Sequence, residues 1–418
     1  MGRLSLLFSM NSQCPCRSCG SSRLQPFLDL GLQPLANNLL RPGDSFDQEP
    51  RFPLIVAVCQ DCWLVQITET VPPVTLFEEY LYFSSFSDAM LRHAKAAVQK
   101  HIATDGLGKD SFVVEIASND GYLLKNFVTA EIPCLGIEPA KNIAVVARQA
   151  GIPTLCEFFG AATAEQVRNQ HGPADLILGN NVFAHAPDIN DFIAGMAVLL
   201  KDKGRAVMEF PYLGNFIDHL EFDTVYHEHV FYFSVTALQP AFARYGLEIF
   251  DAEKVDIHGG SLRLYAGRKG RHGITRELEE LVAEEKSAGM TTLEYYRRFA
   301  ERIGVLKSQL LELVGGLKKE GRSIAAYGAS AKGSTLLNYF GIGRETLDFV
   351  VDRSTYKQGR LTPGTHLPIE KPEKLLEAKP DYTLLLTWNF ATEILRQQEA
   401  YTAAGGRFII PLPKPHIA

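Results

Sequence analysis

No fully apolar run in this 418-residue chain approaches the ~18 residues that a membrane-spanning helix requires. The net formal charge is −6, from 42 Lys and Arg against 48 Asp and Glu, so a nucleic-acid backbone is not an expected partner. There is no short-period repeat and no low-complexity tract. A short apolar patch, residues 4–8, follows Arg3, but it is too small for a secretory h-region and no small-residue cleavage site comes after it. A cytoplasmic location is therefore expected. Neither the G-x-G-x-x-G of dinucleotide folds nor a Walker A loop is present, which counts against a nicotinamide enzyme and against nucleotide hydrolysis. Cysteines number seven, an odd count, and four of them precede residue 60, which does not suit a disulfide framework.

What remains is an ordinary globular composition, 46% hydrophobic and 22% charged, in a chain long enough for two to three domains. Three segments emerge. Residues 12–72 are rich in Cys, Pro and Gly, with short β-type runs at 53–58 and 64–68. Residues 73–282 alternate strands and helices, with buried parallel strands expected at 111–116, 134–137, 174–178 and 204–209. Residues 283–418 repeat the alternation after a polar helical stretch from 277 to 319, with strands expected at 323–327, 347–351, 382–386 and 407–410. The fold class is α/β: two open sheets behind a small cysteine module.

Cys16-Arg-Ser-Cys19 and Cys59-Gln-Asp-Cys62 are two Cys-x-x-Cys knuckles. Each can place two thiolates on one ion, and the pair makes the closed Cys₄ set of structural zinc. The competing reading, a redox pair, requires the motif to open a helix in a βαβ unit, and neither knuckle does. Four thiolates leave no open coordination position, so the metal should hold the fold and take no part in chemistry. Cys14 is a spare thiol. Cys134 and Cys156 read as core residues and not as nucleophiles.

In the middle segment an expected strand ending at Glu115 runs into Ile116-Ala-Ser118-Asn119-Asp-Gly121, a turn opening a helix. Such a turn aims backbone N–H groups at a ligand. The next strand ends in Glu138-Pro139, about 20 residues on, the spacing for gripping ribose hydroxyls; a solvated glutamate at a strand end fits the same spacing. A third strand runs into Asn180-Asn181-Val-Phe-Ala-His185, with polar residues at the end where open α/β sheets bind ligands. Downstream, Tyr226-His-Glu228-His229 packs a phenol, two imidazoles and a carboxylate into four residues. Imidazole takes a proton near neutral pH, a carboxylate can orient it, and a phenol or second imidazole can donate to a developing enolate. An exposed polar loop is the plain alternative. In the last segment, Gly328-Ala-Ser330-Ala-Lys332-Gly333 is again a turn between strand and helix and suits a diphosphate; Asp352, Trp388 and Asn389 end the following strands. An empty dimerising Rossmann fold is the alternative there.

The set E-I-A-S-N-D-G, G-I-E-P, N-N-V-F-A-H-A-P-D and Y-H-E-H-V-F-Y-F-S, with the knuckles in front and Y-G-A-S-A-K-G-S-T-L-L-N behind, resembles the S-adenosylmethionine-dependent sugar C-methyltransferases of deoxysugar biosynthesis. The resemblance spans nearly the whole chain. It implies a zinc-binding N-terminal module, a class I methyltransferase core and a C-terminal Rossmann-like domain closing over a nucleoside-diphosphate 4-keto-6-deoxy sugar. It also implies roles: His229, rather than His227, as base with Glu228 as partner, Tyr226 and His185 as enolate donors, and Tyr80 as a functional phenol. Two further readings are an NAD-dependent oxidoreductase acting on a nucleotide sugar and a non-catalytic zinc-bearing scaffold or nucleic-acid binder, the last disfavoured by the acidic net charge. A monomer or weak homodimer is expected, with no nucleic-acid or membrane partner.

Overall fold

The structure, a computed structural model, describes residues 14–72, 75–76, 83–257 and 259–418. Three sheets carry it. The first is antiparallel, built from β1 (Leu24–Pro34), β2 (Arg51–Cys59) and β3 (Val65–Ile67). Its alternate residues Leu54 and Val56 are sealed from solvent, the period-2 burial of a half-covered sheet.

The second sheet begins with β4 (Val113–Ile116), β5 (Cys134–Ile137), β6 (Thr154–Leu155), β7 (Ala174–Asn180) and β8 (Leu200–Pro211). These five are parallel, with β4 in the middle, and they read as continuous apolar runs because helices cover both faces. One fourth strand of the first sheet, β9 (Phe231–Tyr232), comes from this part of the chain and pairs with β3. An antiparallel hairpin, β10 (Leu247–Val255) and β11 (Ser261–Arg268), completes the sheet beside β8, giving the order β10-β11-β8-β7-β4-β5-β6. That order, with one antiparallel strand inserted beside the last parallel one, is the class I methyltransferase sheet.

The third sheet comprises β12 (Ile324–Tyr327), β13 (Val350–Val351), β14 (Ile369–Glu370), β15 (Tyr382–Leu385), β16 (Arg407–Ile410) and β17 (His416–Ile417). All of its pairings are parallel except that of β17, and its order, β14-β13-β12-β15-β16-β17, is Rossmann-like.

The hairpin β10–β11 departs from the sequence reading, which placed no strand after residue 209 in the middle segment. Glu248, Asp251, Glu253 and Lys254 interrupt its apolar residues, and pairing with β8 supplies what local propensity does not. The expected helical stretch 277–319 is two helices, Arg276–Ala288 and Leu293–Lys319, because Gly289 ends the first at a φ of 88°. The longer helix buries Tyr296, Phe299, Ile303, Leu306 and Leu310 at spacings of three and four. Its Tyr296 ring lies 5.1 Å from Phe27 of β1, and Phe299 lies 4.8 Å from Phe216, so it ties the first sheet to the segment before β9. Among the described residues no helix is long and apolar enough to cross a membrane.

Candidate active site

The four knuckle sulfurs lie within 4.8 Å of one another. Cys16 and Cys62 are 3.5 Å apart and Cys19 and Cys59 are 3.6 Å apart. Four sulfurs bound tetrahedrally at the Zn–S distance of ~2.3 Å sit about 3.8 Å from each other, so the cluster is sized for one zinc ion. Cys16, Cys59 and Cys62 are buried, and among the described residues the group holds four thiols and no other ligand, as a closed structural site requires.

A cavity of about 1180 Å³ opens at the C-terminal ends of β4, β5 and β7 and is roofed by the third sheet's loops. A shallower depression of about 730 Å³ lies at the opposite, N-terminal strand ends around Phe112 and Pro133. Ligands of open α/β sheets bind at the carboxyl ends, which selects the larger one.

One wall of the cavity is the turn after β4. Ala117, Asn119 and Gly121 have φ values of 52°, 50° and 79°. Such left-handed backbone in non-glycine residues costs energy and collects at ligand sites. Asn119 and Glu138 line the cavity. Both Glu138 oxygens accept backbone N–H groups, from Asn119 at 2.9 Å and Ala140 at 2.9 Å. Burial raises the Glu138 pKa, and those two N–H groups oppose the rise. Pro139, Asn180 and Asn181 complete this side, with Phe158 half exposed over it. A carboxylate at a strand end, two amides and aromatic edges fit an adenosine-bearing cofactor.

Three expected cofactor residues sit behind the wall. Glu115 is inside β4, its pKa pushed well up by burial and then by Glu138 and Asp120. Ser118 packs on Gly136, where an added Cβ would come within 2.3 Å of its hydroxyl. Gly121 backs onto Ile152.

Three of the four residues of the polar quartet face the same cavity. Tyr226, Glu228 and His229 line it, together with His185 from the turn after β7. Nδ1 of His229 lies 2.8 Å from the Thr224 carbonyl, and Nε2 lies 2.8 Å from the Tyr226 hydroxyl. The His185 ring stands edge-on to His229 at 4.8 Å. Burial lowers the His185 pKa to about 4, so it is a neutral imidazole, hydrogen-bonded to the Glu228 backbone. Burial raises Glu228 to about 7, with the Asn37 amide and Lys357 pulling the other way. His227 turns away: its Nε2 lies 3.2 Å from the Pro53 carbonyl and its ring packs on Phe52. Tyr80 lies outside the described residues.

The third sheet supplies Ser330, Lys332 and Asn389 to the cavity. Ser330 caps its helix, accepting from Gly333 N–H at 3.0 Å. Lys332 Nζ is buried, lies over the Trp388 ring at 4.9 Å and 4.0 Å from Glu221, and has no hydrogen-bond acceptor among the described residues. Trp388 itself donates to Asp223 at 2.7 Å. Asp352, just past β13, braces the turn, accepting from Ala329 and Ser354 N–H, both at 2.8 Å. Gly328 and Gly333 pack on Thr387 and Leu386, where a side chain would clash, and do not face the cavity. Asn37, Lys357 and Arg360 line it without having been singled out in the sequence; each lies in a loop, outside any motif or period.

This sheet order, with its carboxyl-end cavity and the cysteine cluster in front, defines a class I S-adenosylmethionine-dependent methyltransferase carrying a zinc module. The chain matches three family models: "Putative zinc binding domain" over residues 16–77, "Methyltransferase domain" over 90–252 and "C-methyltransferase C-terminal domain" over 256–413. It is 38% identical to the C-methyltransferase NovU of Streptomyces niveus over 403 residues, 96% of each chain. The chain belongs to this C-methyltransferase family, and it is an enzyme that uses S-adenosylmethionine and holds zinc. The nicotinamide and scaffold readings fall with that finding. Solved structures similar to part of the chain include the magnesium protoporphyrin IX methyltransferase of Synechocystis PCC 6803 and the PH0226 protein of Pyrococcus horikoshii OT3. The first is 14% identical and covers 48% of this chain and 99% of its own, with a TM-score of 0.36. The second is 13% identical, with shares of 47% and 99% and a TM-score of 0.37.

Proposed function

We propose that the enzyme methylates a carbon beside the C4 ketone of a nucleoside-diphosphate 4-keto-6-deoxy sugar, C3 in preference to C5, through an enolate. The observation that carries this reading is the sharing of one cavity by the Glu138–Asn181 wall and the Tyr226–Glu228–His229 cluster. Carbon beside a ketone is not nucleophilic until a proton leaves it and the charge moves to oxygen. His229 is the base: the Thr224 carbonyl holds Nδ1 protonated, and the Nε2 lone pair, which faces the Tyr226 hydroxyl in the resting enzyme, takes the substrate proton as that hydroxyl turns to the enolate oxygen. The Tyr226 hydroxyl is the hydrogen-bond donor to the enolate oxygen; His185, whose single N–H rests on the Glu228 backbone carbonyl, becomes the second donor by turning that N–H to the substrate, and Glu228 is the second acid/base group. Tyr80 is assigned to closing the site.

S-adenosylmethionine, when bound, supplies the electrophilic methyl group, with Glu138 at its ribose. Lys332, Lys357 and Arg360 give the sugar side three cationic groups, and the unsatisfied Lys332 ammonium suits a diphosphate oxygen. A soluble nucleotide sugar agrees with the cytoplasmic location expected from the sequence.

The test is a panel of nucleotide 4-keto sugars incubated with S-adenosylmethionine and read by mass spectrometry. One methyl group should be gained on carbon by a 4-keto-6-deoxy member. Transfer only to acceptors lacking a ketone would overturn the reading.

A further inference from the structure

We propose that Asn37 is a positioning residue for Glu228, brought to the active site by the cysteine module; this rests on the reading of Glu228 as an acid/base group. The Asn37 amide donates to Glu228 Oε1 at 2.7 Å across 191 residues of sequence. Both partners are fixed by the module. Asn37 sits in the β1–β2 connection, where Leu40 and Leu361 exchange backbone hydrogen bonds at 3.1 and 2.8 Å. The same connection is clamped to the third sheet's loop by Glu49, which accepts from Gly364 N–H at 2.8 Å and meets His366 at 2.9 Å. On the other side, β9 pairs with β3 and His227 holds the Pro53 carbonyl, so the loop carrying Glu228 is fastened to the module's sheet.

An amide N–H aimed at a carboxylate favours its ionised form. Among the described residues, the other charged or titratable groups on this side of the cavity are Lys332, Lys357, Arg360, His185, Tyr226 and His229, and Lys357 acts in the same direction as Asn37. Removing the amide leaves a buried carboxyl with less to hold its charge, so Glu228 must titrate at higher pH. The direction is the same whether Glu228 works ionised, as a base, or protonated, as an acid: the limb it governs moves upward.

The experiment compares Asn37→Ala and the isosteric Asn37→Asp with wild type, each first shown to retain zinc and its melting temperature. Both variants should move the Glu228-dependent limb of the kcat profile up by about one pH unit, and Asn37→Ala should cost roughly tenfold in kcat with KM for S-adenosylmethionine unchanged. Isotope-edited infrared titration of the Glu228 carboxyl reads the same shift without turnover. An unmoved carboxyl titration in folded, zinc-loaded variants overturns the inference. Full turnover in Glu228→Gln would instead remove Glu228 from the chemistry, and the titration would still judge the hydrogen bond.

Discussion

The Tyr226 hydroxyl lies 2.8 Å from Nε2 of His229, while Nδ1 of the same ring lies 2.8 Å from the Thr224 carbonyl. A carbonyl only accepts, so Nδ1 carries a proton, and in the neutral form of the ring the Nε2 lone pair points at the phenol. The two side chains thus form one unit. His229→Asn and Tyr226→Phe should each lose about 10²–10⁴ in kcat, and the double variant should be little worse than the poorer single one. Exchange is a sharper test than rate. In deuterated water without S-adenosylmethionine, wild type should wash deuterium into the position beside the ketone and His229→Asn should not. Equal exchange would move the base elsewhere, with Glu228 next.

Glu138 holds the cofactor turn as well as facing the cavity, since Asn119 and Ala140 both donate to it at 2.9 Å. Glu138→Ala should therefore weaken S-adenosylmethionine binding by roughly 10- to 100-fold, because hydrogen bonds to a charged group are worth ~1.5–3 kcal/mol. Binding of the sugar nucleotide should hardly change. Calorimetry on both ligands checks this; an unchanged cofactor affinity would take Glu138 out of the site.

The parts of this arrangement that were legible in the sequence are those with local causes. The strands around Val113, Leu135 and Ile177 are apolar runs that only a sheet covered on both faces accommodates. The knuckles announce themselves by spacing, and the Tyr226–His229 quartet by its density of titratable groups. Asn37, Lys357 and Arg360 have no such mark. They are polar residues in loops, and only docking of three sheets around one cavity brings them to it. The β3–β9 pairing was hidden for the same reason, two short segments far apart in sequence. For Lys332 the turn was legible but its surroundings were not, because Glu221 and Asp223 arrive from the quartet's own loop.

The zinc module should be inseparable from turnover although its metal does no chemistry. Metal analysis should find about one zinc per chain. Cys59 ends β2, which pairs with β3, which pairs with β9 next to the quartet. Cys59→Ser should therefore lower the melting temperature and kcat together, and chelation should do the same in wild type. A zinc-free preparation with full stability and activity would refute this.

Glu221 makes stability depend on pH. It is buried beside Lys332, 4.0 Å away, and its pKa rises from 4.5 to about 7, chiefly through burial, with Lys332 opposing the rise and Asp223 adding to it. A folded-state pKa above the unfolded one means that the folded chain binds the extra proton. Its contribution is complete below the unfolded value and is lost as pH climbs through the folded one, over a window from roughly 4.5 to 7. The whole effect is on the order of 3 kcal/mol at about 1.4 kcal/mol per pKa unit. Glu228 rises to about 7 as well, and burial also raises Glu115, Glu138 and Asp223, so Glu221 is one of several such groups in wild type. Denaturant midpoints measured from pH 5 to pH 8 should fall in wild type and fall less steeply in Glu221→Gln, by close to one proton's worth of slope, whatever the variant's absolute stability without its partner for Lys332. Parallel slopes in the two proteins would mean that Glu221 is already ionised throughout, held so by the lysine.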